Sequence, residues 1–315
     1  MVNFYASPEY LEVVAQTYFS GRRVSVENVR IGDDVLRLLV VDGRRVVTNV
    51  DFLDYHAPLP EAEAGAVTRS FGYAPSVARR VIVAAEWDAA RFAGLEPAPF
   101  VDWSRFRSFE QYCEFLRARS KGLYKEHERR RRRLVDSVGE LDFRMDDDRP
   151  DVLELARRWK SQQLRDTGAR NYFRDPRNSE YFTRLRQKGL LTASTLRAGD
   201  RLLSAWMGFV YRDVWSGWVF TYDHDPALRK FSLGHQLLRS MLEESFRRGH
   251  REFDFSIGNE DYKWFYATHA RILGPVGKAP LRQRLLARAR HDTKRVLAHY
   301  PRLLSMAVAL KRRLR

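Results

Sequence analysis

Residues 215–266 read WSGWVFTYDHDPALRKFSLGHQLLRSMLEESFRRGHREFDFSIGNEDYKWFY. The order of patterns in this stretch decides the fold. Trp215–Tyr222 is an apolar, aromatic strand, and a short polar loop follows it. The loop ends in Arg229-Lys230-Phe231-Ser232-Leu233-Gly234 and opens into an amphipathic helix that closes at Gly249. A second short strand covers residues 252–257. The first turn of a helix carries N–H groups with no intrahelical acceptor, and the helix dipole favours an anion there. Small residues let a pyrophosphate come close to the backbone. Arg229, Lys230, Phe231, Ser232, Leu233 and Gly234 are therefore expected to form a phosphate-binding turn. The plainer reading of the same residues is an ordinary helix capped by Ser232.

Upstream, LLTASTLR (190–197), RLLSAWMGFVYR (201–212) and WSGWVFTYD (215–223) read as successive strands with turns at Ala198-Gly199-Asp200 and Arg212-Asp213. Residues 150–166 give an amphipathic helix with Leu153, Leu155, Ala156 and Trp159 on one face. Residues 179–189 give a further helix, and 139–145 a strand. Residues 108–138 predict a long helix broken near Gly122. Nearer the start, 4–19 predicts a helix with Ser7 as cap and Pro8 in its first position. Residues 22–50 alternate like strands, and 51–75 are loop-rich. Residues 76–100 predict a helix, a short strand and a Pro-rich stretch, with a domain seam near Val101–Arg107. The order of elements is that of a mixed α+β fold.

At this point a resemblance is visible. Arg229, Ser232 and Gly234 match the Gln/Arg-x-x-Gly-x-Gly/Ala loop of the GNAT acyltransferases, with Ser in place of the first Gly. Asp254-Phe255-x-x-Gly258-x-x-x-Tyr262-Lys263 resembles the C-terminal motif of the CelD-like branch, which is related to the Fem-type aminoacyl transferases. The resemblance covers residues 100–270. It implies a GNAT-type fold with a degenerate N-terminal GNAT-like half (1–104), a complete GNAT domain (105–280) and a basic helical tail (281–315). It implies acyl-CoA, or an acyl carrier protein, as donor, and an amine as acceptor that attacks directly.

Acyl transfer to an amine needs a base for the ammonium proton and an acid for the leaving thiolate. The resemblance points to Tyr262 as the acid, against a buried aromatic as the plainer reading. Asp223 and Asp254 are the base candidates, with His224 beside them. Asp254 lies among apolar residues, so its carboxylate must be paired or have a raised pKa, and Lys263 or Arg251 is the expected partner. Lys263, Trp159 and Tyr222 are placed with the substrate by the same resemblance. Core packing explains Trp159 equally well, and a surface position explains Lys263.

The 315 residues carry a net charge of +16. Residues 281–315 hold eleven basic residues against Asp292 alone, a net of +10. This amphipathic tail suggests contact with an anionic membrane, or packing on the core. Arg129–Arg133 is either a solvated helix face or a receptor for an acidic partner, with nucleic acid the least expected. Cys113, the single cysteine, lies in an apolar helical pattern, and the eight histidines show no metal-ligand spacing. No metal is expected. With no apolar run long enough to span a bilayer and no signal-peptide pattern in MVNFYASPEYLEVV, a cytoplasmic location is expected. Two rival functions stay open: an aminoacyl-tRNA-dependent transfer of the Fem type, and a non-catalytic basic protein on a GNAT scaffold.

Overall fold

The computed structural model describes residues 4–31, 34–46, 65, 68–69 and 73–278. The 281–315 tail lies outside them. Helix α1 (Pro8–Tyr18) begins where the capping residues require: the Ser7 hydroxyl accepts the Tyr10 N–H at 3.2 Å, and Pro8 takes the first helical position. Strands β1 (Val24–Ile31), β2 (Asp34–Val41) and the short β3 (Arg44–Arg45) form an antiparallel sheet of three.

The remaining strands build one sheet of eight. They are β4 (Tyr73–Val83), β5 (Glu96–Asp102), β6 (Leu141–Arg144), β7 (Thr192–Ala198), β8 (Arg201–Tyr211), β9 (Val214–Tyr222), β10 (Glu252–Asp254) and β11 (His269–Gly277), in the order β4-β11-β5-β10-β9-β8-β7-β6. The boundary expected after residue 104 is crossed by this sheet, because β4 and β5 are bonded to β10 and β11.

The junction of β9 with β10 is the parallel one, and it positions the site. These strands pair only over residues 214–216 and 252–254. Beyond that, β9 runs on to Tyr222, whereas the other chain turns away. Ser256 takes φ +61 and gives its N–H to Asp254 Oδ1 at 2.8 Å. Residues 255–258 then follow β5: Phe255 N–H reaches Pro99 O at 3.0 Å, and Gly258 N–H reaches Pro97 O at 2.9 Å. A wedge opens between the two parallel strands, and the peptide groups on that edge of β9 lack a strand partner.

Two layers of helices cover the sheet. α4 (Asp151–Asp166), α5 (Pro176–Gln187) and α1 bury one face, where Ala156, Tyr181 and Leu185 meet Ala205, Met207 and Val219. α2 (Phe109–Arg119), α3 (Lys121–Val138), α6 (Leu233–Arg247) and α7 (Asp261–Tyr266) bury the other, where Leu237 and Met241 meet Leu196, Trp206 and Trp215. Trp215 stacks on Phe253 with ring centroids 4.4 Å apart, which locks β9 to β10 just before they part. A bulge in β9 makes Trp218 the extra residue, since Gly208 faces Gly217 and Met207 faces Val219. Its indole N–H donates to the Tyr5 hydroxyl at 2.8 Å on the α1 side.

The sequence reading differs from this fold in four places. The short strand expected at 79–87 begins earlier, at Tyr73, and takes in residues 76–78 where a helix was expected, because 73–83 lies along β11 over almost its whole length. The Pro-rich stretch is a central strand. Pro97 and Pro99 fit there because their sites toward residues 255–258 call only on carbonyls, which proline retains. The helix break falls at Ser120 rather than Gly122. Ser120 is extended at φ −158, ends α2, and caps α3 through its hydroxyl to Leu123 N–H at 3.4 Å. The last strand of the reading stops at Asp254, and α7 and β11 follow where none was expected.

Candidate functional site

The turn before α6 is shaped by what it buries. Asp225 caps a 3-10 helix (Pro226–Phe231) by accepting Ala227 N–H at 2.9 Å. Phe231 and Leu233 point into a core with Leu134, Leu203 and Leu228, so only their backbones face outward. Ser232 between them is left-handed at φ +54, a conformation that costs a residue with a side chain about 1 kcal/mol. Its hydroxyl does not cap the helix. It accepts from the Arg130 guanidinium of α3, which also binds Glu126 at 2.7 Å. The N–H groups of Leu233 and Gly234 are left without an acceptor among the described residues. A Cβ on Gly234 would sit 2.5 Å from the Phe220 ring, so glycine is what lets α6 rest on β9.

This turn forms one wall of an open cleft of about 540 Å³. The end of β9 contributes Phe220, Tyr222, Asp223 and His224, the turn contributes Arg229, Ser232 and Gly234, and α4 contributes Gln163. Arg229 and Lys230 are exposed and carry no carboxylate partner among the described residues. Lys160 of α4 reaches the Phe220 carbonyl at 3.1 Å and Gln163 Oε1 at 3.0 Å, and burial lowers its pKa.

The structure brings together Arg229, Ser232, Leu233, Gly234, Tyr222 and Asp223 around this cleft. It separates others. Asp223 is gripped by Arg201, at 2.9 Å to Nε and 2.7 Å to Nη2. Asp254 is buried away from the cleft, and its partner is neither Lys263 nor Arg251. It meets Arg271 of β11 at 3.6 Å, and Arg271 also binds Glu252. Lys263 is buried and clamps the preceding loop, donating to Ile257 O at 2.8 Å and pairing with Glu260 at 3.0 Å. Trp159 packs in the core, and its carbonyl lies 3.1 Å from His224 Nε2. Tyr262 is half-buried, with its ring 6.2 Å from that of His235, and burial pushes its pKa well above the usual range.

One constellation escaped the sequence. His127 of α3 and His235 of α6 lie with ring centroids 4.2 Å apart. The Tyr266 hydroxyl stands between them, 3.3 Å from each Nδ1. Burial and the Arg130 charge hold His127 down to about 4, and burial with the neighbouring His127 holds His235 to about 4. Both are neutral near pH 7. His235 also lines the cleft, so with Nδ1 engaged its Nε2 is the nitrogen left for a ligand. Arg119 fixes this end of α7 by donating to the carbonyls of Trp264 and Ala267, each at 2.6 Å. No local signal joins residues so far apart in the chain.

Among the described residues no group of three or more His, Cys, Asp or Glu is arranged to hold a metal ion. Cys113 is buried, and burial pushes its thiol up, against use as a nucleophile.

The family model described as "Acetyltransferase (GNAT) domain" matches residues 123–264. Residues 123–264 are a GNAT acetyltransferase domain. The segment contains α3, the Arg229–Gly234 turn, the parted strands and Tyr262, and it marks the chain as a transferase. Among solved structures, the chain is similar to FemX at 8% identity, with 87% of this chain and 91% of that one covered and a TM-score of 0.50. It is also similar to L-PGS from Bacillus licheniformis at 11% identity, with 90% and 96% covered and a TM-score of 0.46. A tandem GNAT protein from the clavulanic acid biosynthesis pathway matches at 12% identity, with 86% and 95% covered and a TM-score of 0.36. At such identities the likeness to FemX is one of fold. No curated protein matches the sequence. Among the described residues, no helix is long and apolar enough to cross a membrane.

Proposed function

We propose that this GNAT domain transfers an acyl group from acyl-CoA, or from an acyl carrier protein, to an amine by direct attack. The observation that carries the reading is the α6 N-terminus, where two unpartnered amides and the Ser232–Arg130 contact open onto a cleft beside the parted strands. A donor phosphate fits against the Leu233 and Gly234 amides, with Arg229 and Lys230 as nearby cations. The thioester arm would lie in the wedge, bonded to the free edge of β9. The amine nitrogen attacks the thioester carbonyl, the C–N bond forms and the C–S bond breaks. Neutral His235, which lines the cleft, is the base that would take the amine proton, and Tyr262 stays protonated at neutral pH and so can give a proton to the leaving thiolate. Asp223 and Asp254, both committed to arginines, are the weaker candidates for the base.

The test is release of free thiol from acetyl-, octanoyl- and palmitoyl-CoA in the presence of a panel of amines, amino sugars and amino acids. Amine-dependent release supports the reading, and none with any donor removes it. A second reading, transfer from aminoacyl-tRNA, is favoured by the FemX-like fold across 87% of the chain and by the exposed cations at the turn. It predicts a transfer that RNase abolishes and that acyl-CoA does not support. Contact of the tail with anionic membranes remains part of the proposal and is read out by co-sedimentation with anionic vesicles.

A further inference from the structure

The edge of β9 that borders the wedge is met by one side chain. Asp223 N–H bonds Leu203 O at 2.8 Å, and the same register pairs Thr221 with Ala205 and Phe220 with Trp206. Peptide groups alternate in direction along an antiparallel pair, so those of Thr221 and Asp223 face β8 while those of Phe220 and Tyr222 face the wedge. Lys160 of α4 reaches that edge. Its Nζ donates to Phe220 O at 3.1 Å and to Gln163 Oε1 at 3.0 Å, and both Phe220 and Gln163 line the cleft. An ammonium has three N–H donors, so one is left over. No carboxylate pairs with Lys160 among the described residues. Glu260, whose charge favours the ammonium, is bonded instead to Lys263 at 3.0 Å. A half-buried charge without an acid beside it is a cost that the packing of α4 on β9 does not call for.

We infer that Lys160 is a catalytic residue of the transfer, its third N–H donating to the carbonyl oxygen of the donor thioester. The inference rests on the acyl-transfer reading and deepens it. A thioester arm laid along β9 meets the peptide edge at Phe220 and Tyr222, where the ammonium already stands. As the amine nitrogen attacks, the C–N bond forms and the carbonyl π pair moves onto oxygen. Lys160 offsets that negative charge through its hydrogen bond and keeps its own proton. When the pair returns to carbon, the C–S bond breaks and the thiolate takes a proton from Tyr262, while His235 takes the proton lost by the amine. The bonds to Phe220 O and Gln163 fix the ammonium before any substrate arrives, and a donor aimed in advance costs no reorganisation when the charge develops. Half-burial strengthens the contact, because less water screens it.

The experiment measures amine-dependent thiol release from acetyl-, octanoyl- and palmitoyl-CoA, beside calorimetric affinity for the donor that is turned over, in the wild type, Lys160→Met and Lys160→Arg. Lys160→Met should lower turnover about 100-fold or more, the scale of one lost oxyanion donor, while donor affinity changes little. Lys160→Arg keeps the charge and should recover part of the turnover. A residue that only tied α4 to β9 would behave in the opposite way, with a lower melting temperature and turnover of the folded protein kept. Turnover unchanged in Lys160→Met, or lost in step with donor affinity, overturns the inference and leaves the acyl-transfer reading standing. If Lys160→Met fails to fold, Lys160→Gln decides in its place: its amide is a neutral donor without the charge, so turnover should still fall, and full turnover overturns the inference. No release by the wild type with any donor removes the acyl-transfer reading and the inference with it.

Discussion

The Nδ1 atoms of His127 and His235 lie at the same distance, 3.3 Å, from one Tyr266 hydroxyl. The hydroxyl has a single proton, so one imidazole receives it and the other donates its own N–H back. Tyr266 thereby couples the tautomers of two buried, neutral rings, one of which faces the cleft.

That arrangement makes stability depend on acid. Both histidines titrate at about 4 when folded, against the ordinary value of about 6.5. With folded values depressed, their contribution is complete above about pH 6.5 and is lost as the pH falls toward 4, because only the unfolded chain takes up the protons. Within that window each histidine should contribute a fall of about 1.4 kcal/mol per pH unit. Urea unfolding at pH 7, 5.5 and 4.5 checks this, and the fall should be shallower in His127→Asn than in the wild type. Equal slopes would show that the histidines are not the source.

Replacing His235 by Gln or Tyr262 by Phe should lower turnover of an amine acceptor by roughly 100-fold or more, the scale of a lost general acid or base. Acyl-CoA affinity by calorimetry should change little. Loss of affinity in step with turnover would make these residues part of the binding wall only.

Gly234 is required by packing as well as by any ligand. Gly234→Ala sets a methyl group into the Phe220 ring and should cost about 1–3 kcal/mol by denaturant unfolding. Adding Phe220→Leu should recover part of the loss. An acidic residue at 234 would disturb the helix before it repelled a phosphate, so charge reversal belongs at Arg229, which is exposed.

Arg271 holds two buried carboxylates, Glu252 and Asp254. Arg271→Met should cost about 3 kcal/mol, the lower end for breaking a buried pair, because Glu252 keeps Arg251 at 3.3 Å and Asp254 keeps the Ser256 N–H. Asp254→Asn should cost less and should leave turnover of the surviving folded protein near that of the wild type. A selective collapse of turnover in Asp254→Asn, with stability unchanged, would restore it as the base.

What could be read from the sequence was local. The strand, the turn at Arg229–Gly234 and the amphipathic α6 follow from periodicity and small residues within 35 residues of chain, and the structure keeps their order. The pairing of Asp254 could not be read, because its arginine sits on β11, a strand whose Gly-Pro-Val-Gly ending suggests a loop. Pro97 and Pro99 hid β5 for a related reason: proline argues against a central strand unless the neighbour needs only carbonyls. His127, His235 and Tyr266 come from three helices, and only the packing of α3 and α7 around α6 makes them one group.

The central claim is that the α6 N-terminus binds the phosphates of an acyl donor. Calorimetric titration of the full chain with acetyl-, octanoyl- and palmitoyl-CoA, beside Arg229→Glu, tests it most directly. The account predicts saturable binding of at least one acyl-CoA, weakened about tenfold or more by Arg229→Glu with an unchanged melting temperature. Failure of all three to bind, or binding that Arg229→Glu does not weaken, would contradict it.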